Sequence, residues 1–415
     1  MPRAAPAPLE CTIDLPSLRL EGGASIDPVR LHMWWWGPEE DLDVLEPLGA
    51  ASSAGVVTTP EAPSKSPATG RGVRLDAKLP TILVVHALTG DARVGGRGGW
   101  WTPLVGEGRP LDPSRARILC FNNLGSCYGS SGPRQRDWPW TTSPKVGVGP
   151  VSVPAPVTTW DQARLILRGL DFLGLDRVRV GLGGSLGGML VLSLGALAPE
   201  RFAQLIPIAA SAAASPWIIG FNHIARQTIL SDAQWPDRPE RGLSLARQLA
   251  QMTYRAEPGL IARQGRALRP EVLDGPEPFT TKWQADLPYA QETYLEHQGR
   301  KLVERFDAPS YLVQLGAMDH HDLQRRPPAP DDADSYRLPS GPWSGLDRLG
   351  PRIDGIGIDS DALYAPGHLR ALAAGHPERR YFELRSAHGH DAFLIEWDQL
   401  DEVLRTVGAP FDTTR

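Results

Sequence analysis

Cysteine is scarce in this chain: Cys11, Cys120 and Cys127 are the three in 415 residues. So sparse and odd a set argues against a disulfide framework and suits a reducing compartment. Long hydrophobic runs are missing too. The opening MPRAAPAPLE holds no apolar signal-peptide core, and no apolar stretch approaches the ~20 residues that cross a bilayer. Basic excess is absent, since the formal net charge is −5. That removes the positive field that nucleic acid or an anionic membrane would require. The expectation is a cytoplasmic protein with small-molecule partners, no nucleic acid and no membrane.

What is present is an ordinary globular balance, 41% hydrophobic and 22% charged, in a chain long enough for one large α/β domain or two smaller ones. Forty prolines and thirteen tryptophans suggest long proline-bearing loops with apolar anchors. Residues 46–80 are rich in Ala, Ser, Pro, Thr and Gly without periodicity and read as a surface insertion. After it, short β-branched apolar runs alternate with helical patterns. TILVV, RARILCF, RVRVGLGG, AQLIPI, IDGIGI and RRYFEL are strand candidates. Thr159 with Gln162 fits a capping box, and Ala163, Ile166, Leu167 and Leu170 fall on one face of the helix that follows. Alternation of this kind predicts a mainly parallel sheet with helices on both faces. Residues 216–323 change texture to long helical segments and read as a helical cap. The sheet domain is then 1–215 with 346–415, and 324–345 forms a Pro-rich linker.

The stretch GLGGSLGGML, Gly181–Leu190, packs glycines around a single serine. Gly183-x-Ser185-x-Gly187 lies between a strand candidate and a helix candidate, the context of a nucleophile elbow. The bland alternative is a glycine-rich turn. A serine needs a base to remove its proton, and this architecture orders the residues Ser, then Asp or Glu, then His. His388 and His390 lie just after a late strand, and His390 is followed by an apolar run. Asp361, in the turn after IDGIGI, is the choice for the acid, with Asp359 its close competitor. HGHD and the DHHD of Asp319–Asp322 resemble metal clusters, but no cysteine or HExxH pattern supports zinc, and no metal or bound cofactor is expected.

Further matches are numerous and ordered: LPSLRLEGGA, VVHALTGDARV, GWWTPLVGEGRPLD, ILCFNNLGSCYGSSGP, GGSLGGM, FNHIARQTI, ARQLAQMTYR, YLEHQGRKLVERFDAPSYL, AMDHHDL, IDSDALY and GHDAFLIE. Through them the chain resembles the homoserine O-acyltransferase family of the α/β-hydrolase superfamily, from Leu15 to Glu396. The resemblance implies an α/β-hydrolase fold, a homodimer, and acyl transfer from an acyl-CoA co-substrate to an amino-acid hydroxyl. Acetyl-CoA and L-homoserine are the first choices, on the route to methionine. A succinyl donor, a serine or other alcohol acceptor, and an esterase-type hydrolase are the alternatives. Ser185, Asp361 and His390 match the family triad, and the amides of Leu88 and Leu186 its oxyanion hole. Arg255 and Asp391 match the residues that hold the amino acid, whose carboxylate and ammonium need one charge of each sign. Three features depart from the pattern. Leu186 stands where Met is common, LHMWWWGPEE replaces a tyrosine-rich strand, and the segment between MDHHDL and IDSDALY is longer.

Overall fold

The computed structural model describes residues 8–38, 79–143, 150–268, 289–350, 352–374 and 376–408. Most of the insertion expected at 46–80 lies outside them. Eight strands form one sheet: β1 (Leu9–Leu15), β2 (Val29–Trp36), β3 (Thr81–Val85), β4 (Arg117–Phe121), β5 (Val180–Gly184), β6 (Leu205–Ile208), β7 (Ile353–Ile358) and β8 (Arg379–Leu384). Their order across the sheet is β1-β2-β4-β3-β5-β6-β7-β8. β2 runs antiparallel to both its neighbours, and every pair from β4 to β8 is parallel.

The strand patterns follow from where each strand sits. β1 is an outer strand and alternates buried with half-buried residues, whereas β3 to β7 are buried along their whole length. Within β3, Leu83 and Val85 join the core on one face of the sheet, and Ile82 and Val84 the core on the other. The first core receives α1 (Thr159–Phe172) and α2 (Leu186–Leu197). The second is closed by Leu400 and Leu404 of the C-terminal helix, 397–406.

The capping box of α1 falls one residue earlier than the sequence suggested. Thr158 is the extended N-cap, and it exchanges hydrogen bonds with Asp161 rather than Thr159 with Gln162. Gln162 is buried instead, donating to the Leu124 carbonyl at 2.9 Å and to Gln314 Oε1 at 2.8 Å.

Between β6 and β7 come the helices α3 (Pro216–Leu230), α4 (Glu240–Tyr254), α5 (Glu257–Arg263), α6 (Ala290–Val303) and α7 (Ala308–Asp319), with α4 packed between α3 and α6. The DHHD stretch forms the junction between these helices and the sheet. Asp319 pairs with Arg226 and accepts from Asn222 of α3. His321 lies buried between Thr159 Oγ1 and the Ser211 carbonyl, each at 3.0 Å. The acceptor carbonyl fixes the proton on Nε2, and burial pushes the ring's pKa down to about 4.

Residues 324–344 contain no helix or strand, yet this stretch is bolted to α1. Arg164 donates from Nε and Nη2 to Asp334 at 3.0 and 2.8 Å, and Arg168 donates from Nε to Asp334 at 2.8 Å. Both guanidinium groups also reach Asp331, and both also donate to backbone carbonyls, of Arg19 and Ser17. Arg164, Arg168 and Asp334 are almost wholly buried.

Candidate active site

The elbow begins with close backbone approach. A Cβ on Gly187 would stand 2.1 Å from the Val85 carbonyl oxygen, so no other residue fits between α2 and β3 there. Ser185 occupies φ 58°, ψ −124°, a conformation an L-residue adopts only under constraint. Its N–H donates to the Ile208 carbonyl at 2.9 Å, tying the strained turn to β6. Leu186 opens α2, so its N–H belongs to the first turn and has no helical carbonyl four residues back, Leu182 lying in β5.

His390 sits in a short turn of 3-10 helix, Gly389–Leu394, just beyond β8. Its Nδ1 lies 2.7 Å from Asp361 Oδ2, both side chains being buried. A carboxylate only accepts, so Nδ1 carries the proton and Nε2 keeps its lone pair in the neutral ring. Nε2 is buried and has no hydrogen-bond partner among the described residues. The other carboxylate oxygen, Oδ1, accepts the N–H groups of Leu363 and Tyr364, each at 2.8 Å. Burial pushes the His390 pKa down, but the charge and hydrogen bond of Asp361 outweigh it, leaving the ring above the ordinary histidine value. Asp359, the competing acid, is exposed and accepts from the Ser386 N–H instead.

Aromatic rings box the imidazole. Tyr364 stacks on it at 5.1 Å between ring centres, Tyr254 tilts against it at 5.6 Å, and Phe393 meets it edge-on at 5.6 Å. Phe393 also packs where a Cβ on Gly184 would be, which sets the histidine turn against the residue next to Ser185. Sequence reasoning missed all three rings. The one available signal was their nearness in sequence to Arg255, Asp361 and His390.

Arg255 and Asp391 come together beside this box. Arg255 Nε and Asp391 Oδ2 are 3.3 Å apart, both mostly buried, and Gln251 Nε2 donates to the same oxygen at 3.2 Å. Gly389, at φ +67°, lets the histidine turn lie directly on the chain at Tyr254–Ala256, where a Cβ would meet backbone atoms within 3 Å. Arg226, a further cation on α3, is committed to Asp319.

Leu88 belongs to the turn after β3, closed by the Gly90 N–H donating to the Ala87 carbonyl at 2.9 Å. His86 Nδ1 lies 2.8 Å from the same carbonyl, while His86 Nε2 accepts from the Asn123 N–H at 3.0 Å. These partners fix the proton on Nδ1, and burial pushes the ring's pKa down. His86 is therefore a neutral support for the turn.

Among the described residues no group of three or more His, Cys, Asp or Glu side chains could hold a metal. Nor is any helix among them long and apolar enough to cross a membrane.

A family model described as the alpha/beta hydrolase fold matches residues 80–395. Homoserine O-acetyltransferase of Thermus thermophilus is 41% identical over 345 residues, covering 78% of this chain and 80% of that protein. The enzyme of the same name from Moorella thermoacetica is 39% identical, covering 78% and 84%. Among solved structures, homoserine O-acetyltransferase from Staphylococcus aureus superposes with a TM-score of 0.68 at 24% identity, over 99% of this chain and 98% of that one. The chain belongs to the homoserine O-acetyltransferase family of α/β-hydrolase-fold acyltransferases.

Proposed function

We propose that this member of the homoserine O-acetyltransferase family moves an acetyl group from acetyl-CoA to the side-chain hydroxyl of L-homoserine through an acyl-enzyme on Ser185, as a step towards methionine. The observation that carries the reading is the buried His390–Asp361 pair at 2.7 Å. It lies against a strained serine elbow, with an Arg255–Asp391 ion pair one residue from the base.

In the first half-reaction His390 Nε2 takes the Ser185 proton as Oγ bonds to the thioester carbonyl carbon. The amides of Leu88 and Leu186 receive the developing oxyanion, and the carbon–sulfur bond breaks as His390 returns its proton to the departing CoA thiolate. In the second, the homoserine hydroxyl gives its proton to His390 and attacks the acyl carbon, and Ser185 leaves with that proton. General-base assistance of this kind is worth about 10²–10⁴-fold. The Arg255–Asp391 pair supports an amino-acid acceptor. A zwitterion entering between them exchanges one ion pair for two, carboxylate on Arg255 and ammonium on Asp391.

An esterase would use the same triad with water as acceptor and would have no use for that pair. The 216–323 segment acts as the cap, on the sheet domain of 1–215 and 346–415. Large apolar side chains exposed on its helices, Trp217, Ile224 and Ile261 among them, support a homodimer. We place the enzyme in the cytoplasm, without metal or bound cofactor.

The test offers acetyl-CoA or succinyl-CoA with homoserine, serine and water as acceptors, following free thiol and product mass. Acetylhomoserine as the dominant product is the expected result. CoA release that is indifferent to any amino acid would make the protein a hydrolase.

A further inference from the structure

We infer that Arg305, on the connection between α6 and α7, is a positioning residue for the oxyanion turn, through which the cap helices set the geometry of acyl transfer. The inference rests on the role proposed for the Leu88 amide.

The turn Ala87–Gly90 places Leu88 and Thr89 at its two central positions. In a trans peptide the C=O and N–H point in opposite directions. The Ala87 carbonyl is held by the Gly90 N–H and by His86, so the Leu88 N–H of the same peptide is turned away from them. Two further peptide carbonyls lie in the turn, those of Leu88 and Thr89. The Thr89–Gly90 peptide is tied at its N–H by the bond to Ala87, and Arg305 ties it at its carbonyl as well. Arg305 Nη1 donates to the Thr89 carbonyl at 2.6 Å and to the Tyr128 hydroxyl at 2.8 Å, and Nη2 reaches Thr89 Oγ1 at 3.4 Å. A planar guanidinium with three contacts fixes a peptide plane as a flexible ammonium does not.

The base of this arm is itself rigid. Leu302 and Phe306 are buried on either side of Arg305, and Phe306 meets the Tyr128 ring edge-on at 5.7 Å. α6 packs on α4, the helix that carries Gln251 and leads into Arg255. The cap thus touches the acceptor pair at one end and the oxyanion turn at the other.

Arg305 is also an exposed cation, so the rival reading makes it a contact for the CoA phosphates. The two readings separate on donors with and without CoA. Burst acylation is measured with acetyl-CoA and with p-nitrophenyl acetate, for wild type, Arg305→Met, Arg305→Lys and Tyr128→Phe. Removing an oxyanion donor outright costs about 10²–10³-fold; loosening the turn should cost about tenfold. Arg305→Met is expected to lose that factor in the acylation rate constant on both donors, with KM unchanged. Lysine, keeping the charge and one of the contacts from a single nitrogen, should restore about half the logarithmic loss.

A loss confined to acetyl-CoA and expressed in KM would overturn the proposal in favour of phosphate binding, and no loss on either donor would overturn it outright. Should Arg305→Met not fold, Arg305→Lys and Tyr128→Phe decide alone, a shared drop of about twofold to threefold on both donors being required. A burst that survives Ser185→Ala would instead sink the Ser185 reading, and this inference with it.

Discussion

Replacing Asp361 by Asn tests the site where its geometry is most demanding. Oδ1 of Asp361 accepts two backbone N–H groups and Oδ2 faces His390 Nδ1. An Asn must choose which side receives its oxygen. With the oxygen toward Leu363 and Tyr364, its NH2 faces Nδ1, which must then be an acceptor, and the imidazole proton moves to Nε2. In that tautomer the ring cannot take the serine proton. Turning the amide over restores the tautomer but points NH2 at two buried N–H donors, at a cost of about 1–3 kcal/mol each. The wrong tautomer therefore dominates, and acylation should fall by about 10⁴-fold, the penalty expected of a mis-set triad histidine.

The pH profile carries a second signature. With His390 as the proposed base, activity needs the neutral ring and should fall as pH drops through its pKa, which Asp361 holds above the ordinary value of 6.5. In the Asn variant burial is opposed only by the Asp391 charge, and the acid limb should move to lower pH. Stopped-flow release of CoA across pH 5–9 measures both effects. Asp361→Asn keeping more than about a tenth of the wild-type rate would refute the argument, as would greater damage from Asp359→Asn.

Three further outcomes follow from the same structure. Arg255→Leu should retain the acylation burst but raise the homoserine KM by orders of magnitude, since losing one partner of a desolvated pair costs about 2–5 kcal/mol; an unchanged acceptor KM assigns the carboxylate elsewhere. Asp334→Ala leaves two buried guanidinium groups short of their shared partner and should lower unfolding free energy by about 3–5 kcal/mol in urea titrations, whereas a loss under 1 kcal/mol would show the cluster to be solvated. His321 is neutral in the fold, with its pKa depressed to about 4 from 6.5. Its contribution is intact above pH 6.5 and is lost as pH falls towards 4, by about 3 kcal/mol, so His321→Gln should flatten the acid slope of stability.

The central strands were legible because burial on both faces leaves unbroken β-branched runs such as TILVV, and Ser185 because glycines flank it at the spacing an elbow needs. β1 carried a signal too: LECTIDL alternates with period two, the mark of an outer strand. Choosing between Asp359 and Asp361 was beyond local pattern, because two residues in one turn differ only in which way the loop sends them. The mutual pairing of Arg255 with Asp391, 136 positions apart by their numbers in the sequence, and the aromatic box are products of tertiary approach. What DHHD does instead of holding a metal was not legible, because adjacency in sequence hides that Asp319 and His321 serve different neighbours.

All twelve residues of α2, the helix mounted behind Ser185, are buried, whereas α5, just beyond Arg255, buries none of its seven. Amide exchange should record this as two clocks within one site. Protons on α2 escape only when the whole molecule unfolds, while those on α5 escape through brief local openings.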